Sequence, residues 1–166
     1  MQSFSAGTVP AEDDEDAISY FLGRLEAEDL RLRFGGGRPP GEPAALRRRL
    51  GLGDPRSTVL LSLDAAGAIA GMASLALASA GTAETAVIVR SDLKRRGVGT
   101  ALMRRLVHQA RMSGLTRLMA FVLYENLPAR RLVRRLGFRQ IGPIDAELEF
   151  QLDLDELPSG RYALGG

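Results

Sequence analysis

Residues 82–114 read TAETAVIVRSDLKRRGVGTALMRRLVHQARMSG, an apolar run that passes through a short basic turn into an amphipathic segment. Thr82 to Arg90 carries the β-branched residues of a strand, and Gly97 to Ser113 carries helical spacing, with Val98, Leu102, Leu106 and Ala110 along one stripe. Met103 and Val107 lie beside that stripe, whereas Arg104, Arg105, His108 and Arg111 are expected on the solvent side. Gly114 stops the helix at the position where a left-handed residue is favoured. Between strand and helix, Gly97 and Gly99 permit close backbone approach. The first amides of the helix have no intrahelical acceptor, so with the positive end of the helix dipole they form a cradle for a pyrophosphate. Lys94, Arg95 and Arg96 add positive charge around it. The same residues would equally serve a tight strand-to-helix turn with a solvated basic face. The spacing is neither that of a Walker loop nor the Gly-x-Gly-x-x-Gly of dinucleotide binders.

Outward from this centre the chain alternates short strands and helices. Ser57 to Leu63 and Ala68 to Ala78 are apolar runs joined by DAAG, which reads as a hairpin, and Thr82 to Arg90 follows as a third antiparallel strand. Downstream, Leu118 to Leu123 reads as a buried strand and Leu127 to Leu136 as a second amphipathic helix ended by Gly137. Leu148, Phe150, Leu152 and Leu154 alternate with polar residues, the pattern of a strand with one wet face. Upstream, Ala11 to Arg33 has helical spacing with a break between Leu25 and Glu28; GGGRPPGEP ends it, and Pro43 to Leu50 reads as a short basic helix. The first ten residues read as loose or as a short edge strand. The expectation is an α+β fold: a loose acidic segment over 1–16, a single domain over 17–157 and a tail over 158–166.

Composition narrows the chemistry. At 166 residues, 45% hydrophobic and 25% charged, the chain has the make-up of one globular domain. It has no Cys and one His, which excludes disulfides, thiolate nucleophiles and ordinary zinc sites, so no metal is expected. No apolar run is long enough for a membrane span and the start shows no secretory pattern, so a cytoplasmic protein without a membrane partner is expected. Residues 90–139 hold thirteen basic residues against Asp92 and Glu125, a local balance of +11 that reads as a landing site for an anion. Acids gather instead at Glu12 to Asp16 and from Asp145 to Glu156. Nucleic acid is a poor fit to the basic stretch, because aromatics make up only 5% and no basic-aromatic platform is visible.

The stretch KRRGVGTALMRRLVHQARMSGLTRLMAFVLYENLPARRLVRRLGF resembles the acyl-CoA-binding core of the GNAT superfamily of N-acyltransferases. Lys94, Gly97 and Gly99 occupy the positions of that superfamily's Gln/Arg-x-x-Gly-x-Gly/Ala hallmark, and Asn126, Ala129 and Leu136 to Phe138 fit its later Asn-x-x-Ala and Gly-Phe pattern. ETAVIVRSDLKRRGVGTALMRRLV and YFLGRLEAEDLRLRF further resemble the bacterial Pat-type protein lysine acetyltransferases, which modify acyl-CoA synthetases.

This resemblance implies a mixed, mostly antiparallel central sheet flanked by helices and splayed at the acyl-CoA site. It implies acetyl-CoA as co-substrate, its pyrophosphate on the amides of Arg95, Arg96, Gly97, Val98, Gly99 and Thr100, and its pantetheine along the strand that ends at Val89. A backbone N–H of Val87 or Ile88 would polarise the thioester, and Thr100 would add a hydroxyl. Asn126 would face the cofactor arm; an N-cap for the helix from Leu127 is the other role open to it. Glu84 matches the catalytic glutamate of the Pat-type proteins and would serve as general base. A tyrosine acid common in the superfamily is replaced by Val133. The acceptor expected from the flanks is a lysine of a protein such as an acyl-CoA synthetase; a small-molecule amine, such as an antibiotic or polyamine, and a non-catalytic acyl-CoA sensor are the alternatives. For a polyamine, Glu12 to Asp16 could supply acids if folded over the site.

Overall fold

A computed structural model describes residues 5–7, 15–34, 43–142, 144–158 and 162. Its elements run β1 (Ser5–Gly7), α1 (Glu15–Gly23), α2 (Ala27–Arg33), α3 (Pro43–Arg49), β2 (Ser57–Leu63), β3 (Ile69–Ser79), β4 (Thr82–Val89), a 3-10 turn (Ser91–Leu93), α4 (Val98–Met112), β5 (Arg117–Leu123), α5 (Leu127–Arg135), β6 (Arg139–Ile141) and β7 (Glu147–Asp153). The seven strands form one sheet in the order β1-β2-β3-β4-β5-β7-β6. Every pairing is antiparallel except β4 with β5. This is the mixed, mostly antiparallel sheet flanked by helices that the sequence led us to expect. The first strand is short and lies at the sheet edge. Residues 8–14, and with them most of the acidic start, lie outside the described residues.

Two apolar layers hold helices against the two faces of the sheet. On one face, Leu102, Leu106 and Val107 of α4 pack with Leu118, Leu148 and Phe150, all fully buried. On the other, Ile18 and Phe21 of α1, Leu46 of α3 and Leu50 just after it pack with Met72 and Ile88. The strand period of two assigns the side chains of β4 to these layers: Val87 and Val89 face α4, whereas Ile88 faces α1 and α3. Glu84 shares the parity of Ile88. Gly71 lets α4 sit close to β3, since a Cβ there would lie 3.1 Å from the Ile88 carbonyl oxygen, Leu102 Cδ1 and Val98 Cγ1.

Folding returns the acids to the arginines. Arg90, buried at the end of β4, pairs with Asp64 at 3.0 Å and Asp92 at 2.7 Å. Arg117 and Arg139 both reach Asp153, and Arg139 also reaches Glu156. The +11 stretch is therefore not one landing site: Arg90, Arg117 and Arg139 hold the framework, and only part of the charge is left for an anion.

The pairs make an acid-stability prediction. The Arg90 hydrogen bond holds the Asp92 carboxyl below its ordinary range, and the Gln151 side chain and two arginines do the same for Asp153. A carboxyl with a depressed folded-state pKa stabilises the fold above its unfolded value, near pH ~3.9, and loses that contribution as pH falls through the lower folded value. The thermal midpoint should hold steady above about pH 5 and fall progressively below about pH 4, and calorimetry across that range checks it.

Candidate functional site

β4 and β5 pair only at Thr82 with Arg117, Ala83 with Leu118 and Glu84 with Met119. Beyond Glu84, β4 stays bonded to β3 as far as Val89 with Gly71, and β5 stays bonded to β7 as far as Leu123 with Glu147. Each strand follows its outer neighbour, so the inner edges part, and the backbone of Thr85 to Val89 faces an opening on that side. An open cleft of about 1310 Å³ occupies it, lined by Thr85 to Val89, by Ala120 to Val122 and by the start of α4.

The end of the cleft at α4 is built for an anion. Arg95 (φ 62°) and Gly97 (φ 85°) both take left-handed backbone around Arg96, a conformation that turns successive amides toward one side. The first helical bond runs from the Ala101 N–H to the Gly97 carbonyl, so the amides of Val98, Gly99 and Thr100 precede the helix's own hydrogen bonding. No acidic residue and no side-chain cap occupies that first turn. Gly97 is favoured by its φ, whereas Gly99 has room for a methyl and little beyond it. A Cβ on Gly99 would stand 3.4 Å from Val89 Cγ2, 3.8 Å from Leu132 Cδ2 and 3.9 Å from Val87 Cγ2, at the throat between β4 and α5.

The residues expected at the site divide into groups. Val87, Ile88, Val89, Arg95, Gly97, Val98, Gly99 and Thr100 all line the cleft, with the Ile88 side chain turned into the α1–α3 layer so that its backbone is what it offers. Arg96 is exposed and lies outside the lining. Lys94 lines the cleft, but its ammonium is paired with the buried carboxylate of Asp29 on α2, which also accepts the Ser91 hydroxyl and the Glu26 N–H. Its charge therefore serves first to tie α2 to the loop. Asn126 takes the capping role: its Oδ1 accepts from the Ala129 N–H at 3.2 Å, and the residue also lines the cleft. Asn126→Ala should lower unfolding free energy by about 1 kcal/mol in denaturant titration, with Asn126→Asp close to wild type.

Glu84 lines the other end and is exposed there. Of the other carboxylates in the lining, Asp29 is engaged by Lys94 and Ser91 and Asp54 by the Arg56 amide at 2.9 Å and the Ser57 hydroxyl at 3.4 Å, whereas Glu147, at the start of β7, is exposed like Glu84. Val133, in place of the tyrosine, is a buried part of the lining, and among the described lining residues there is no Tyr, His or Cys. His108 is half-buried on α4 rather than exposed, and outside the lining. Tyr124 is half exposed, its ring under the Arg130 guanidinium at 4.7 Å. Glu15 and Asp16 do not reach the cleft, and Glu12 to Asp14 lie outside the described residues. Among the described residues no three His, Cys, Asp or Glu gather as metal ligands, and no helix is long and apolar enough to cross a membrane.

One wall was not expected. Beside Glu84 the lining includes Arg33 and Phe34 at the end of α2 and Arg48 and Arg49 of α3. The Arg33 guanidinium lies 5.1 Å from the centre of the Phe34 ring and that of Arg49 lies 4.6 Å from it. Burial pushes the Arg33 guanidinium down to about 10, with Glu84 opposing and Arg49 adding to the shift. The basic runs LRLRF and ALRRRL are visible in the sequence, but only the tertiary fold brings them to one wall.

Comparison with known proteins places this geometry. The family model described as Acetyltransferase (GNAT) family matches residues 22–138. An L-methionine sulfoximine/L-methionine sulfone acetyltransferase of Pseudomonas paraeruginosa (strain DSM 24068 / PA7) is 36% identical over 89 residues, covering 51% of this chain and 52% of that protein. The chain spans about half the length of the curated relatives it matches. Among solved structures, the GNAT domain of S. lividans PAT superposes with a TM-score of 0.76 at 22% identity, covering 92% of this chain and 90% of that one. A GCN5-related N-acetyltransferase from Kribbella flavida gives 0.74 at 23% identity, covering 90% and 97%. At these identities the two structures speak for the fold.

Proposed function

The chain belongs to the GNAT acetyltransferase family, and from that premise we propose that it transfers an acetyl group from acetyl-CoA to the primary amine of a small molecule. The observation that carries this reading is a cleft with unpaired helix amides at one end, an unpaired strand edge along its length and Glu84 at the other end. That arrangement fits the co-substrate, whose polyanionic head suits the amides and whose amide-bearing arm suits the open edge of β4.

Acetyl-CoA, when bound, supplies the activated acyl group. The amides from Arg95 to Thr100 would hold its phosphates, and the backbone of Thr85 to Val89 would align its arm. The acceptor amine arrives mostly protonated at neutral pH, and its proton must leave before nitrogen can attack the thioester. Glu84 would accept that proton directly or through one water. The N–H of Val87 or Ile88 would stabilise charge developing on the thioester oxygen. With Val133 where a tyrosine acid would stand, the reading requires no dedicated acid, since a thiol of pKa near ~8.5 leaves as thiolate without one. No Cys exists to carry the acyl group, so transfer is direct within a ternary complex.

The acceptor class follows the 36% identical relative, whose name specifies small amino-acid analogues. A protein lysine, the acceptor expected from the flanking sequence, has that resemblance alone behind it. The experiment offers acetyl-CoA with L-methionine sulfone, spermidine and intact acyl-CoA synthetases, each followed by thiol release and product mass. N-acetylation of the amino-acid analogue supports the reading. Turnover on the synthetases alone overturns it in favour of a protein lysine, and binding without turnover in favour of a sensor.

A further inference from the structure

We propose that Arg33 and Arg49 form an oxyanion subsite at the acceptor end of the cleft, so that the acceptor is a primary amine that also carries a carboxylate or comparable oxyanion. This rests on the small-amine reading above and adds to it the second functional group of the substrate.

Positive charge gathers on this wall without an ion-pair partner among the described residues. Arg33 closes α2 and Arg49 closes α3, and both guanidiniums lie against the Phe34 ring, which is itself buried in the α1–α3 layer. The ring fixes both groups at the cleft wall by cation–π attraction while offering them no countercharge of their own. Among the described residues neither arginine has an ion-pair partner, whereas Arg31, two positions before Arg33, is paired twice. Arg48 adds a third positive charge to the same wall. Compensation from nearby acids is partial: Asp54 is held by local hydrogen bonds from the Arg56 amide and the Ser57 hydroxyl and forms no ion pair with the wall, and Glu84 acts on Arg33 through its charge without forming a salt bridge. Two like charges held at one ring repel, and Arg49 acts unfavourably on Arg33, so an anion bound beside them would relieve that repulsion.

The polarity of the wall selects the acceptor. A polyamine or a lysine side chain brings only positive charge and would meet Arg33 and Arg49 unfavourably. An amino acid brings both signs a few bonds apart, its ammonium for Glu84 and its carboxylate for the guanidiniums, whose planar forks suit two oxygens at once. Binding by the carboxylate would then orient the amine toward Glu84, so the arginines position the nucleophile as well as select it.

The test compares L-methionine sulfone with the amino alcohol made by reducing its carboxyl group, which keeps the amine and removes the anion. The wild type should favour the acid in kcat/KM by about 10- to 100-fold, the range of a charge-assisted pair. In Arg33→Gln and Arg49→Gln the acid-to-alcohol ratio should fall toward one, mostly through KM, and Arg33→Lys should restore part of it. Acetyl-CoA affinity and the thermal midpoint, measured on each variant, report folding separately. Equal kcat/KM for acid and alcohol in the wild type, or a preference that survives both Gln variants, overturns the subsite while leaving amine acetylation standing. No turnover on any small amine fails the underlying reading, and the subsite with it.

Discussion

Glu84→Gln should lower kcat by about 10²- to 10⁴-fold with acetyl-CoA affinity unchanged, the range expected for loss of a general base. Glutamine keeps the size and hydrogen-bonding reach of the side chain but cannot take a proton at neutral pH. The fold should not register the change, because Glu84 is exposed at the cleft and makes no ion pair among the described residues. The defect should also depend on pH. If the lost function is deprotonation of the amine, raising pH toward the amine's own pKa should narrow the gap between variant and wild type, since more acceptor arrives already neutral. Rate profiles of both proteins from about pH 6 to 10 check this, and a gap that stays constant would assign Glu84 to acceptor binding rather than to proton transfer.

Gly99→Leu should raise the dissociation constant for acetyl-CoA by at least about 100-fold, or ~2.7 kcal/mol, with no loss of stability. Gly99 is a helical position, and replacing glycine there removes a propensity cost of about 1 kcal/mol, so the thermal midpoint should hold or rise. Its Cβ would meet Val89, Leu132 and Val87 at ordinary contact distances, which makes a methyl tolerable. The atoms beyond it have only the throat between β4 and α5 to enter. Gly99→Ala should therefore bind nearly as wild type, and the contrast between the two variants separates a filled throat from a damaged helix. Calorimetric titration with acetyl-CoA and a melting curve on each variant give both readings.

What could be read in the sequence was what repeats locally. The helix expected over Gly97 to Ser113 is α4, Val98–Met112, because one apolar stripe and two terminal glycines declare it. The hairpin of β2 and β3, the break between α1 and α2 and the strict alternation of β7 were legible for the same reason. β6 was not, since a three-residue strand carries no period and is made by its partner β7. The phosphate cradle was legible as glycines at a helix start, but the tie from Lys94 to Asp29 spans 65 positions and has no local sign. The pairing of Arg117 with Asp153 is hidden likewise, which is why the basic stretch looked more available than it is. The wall of Arg33 and Arg49 joins the ends of two helices separated by a glycine- and proline-rich stretch; each arginine by itself reads as an ordinary surface residue.

The most direct measurement is a crystal structure of the chain with acetyl-CoA bound. The account predicts the pyrophosphate within about 3 Å of amides between Arg95 and Thr100, the arm along Thr85 to Val89 in the opening between β4 and β5, and the thioester at the Glu84 end. Acetyl-CoA seated outside that opening, or with its thioester turned away from Glu84, would contradict it.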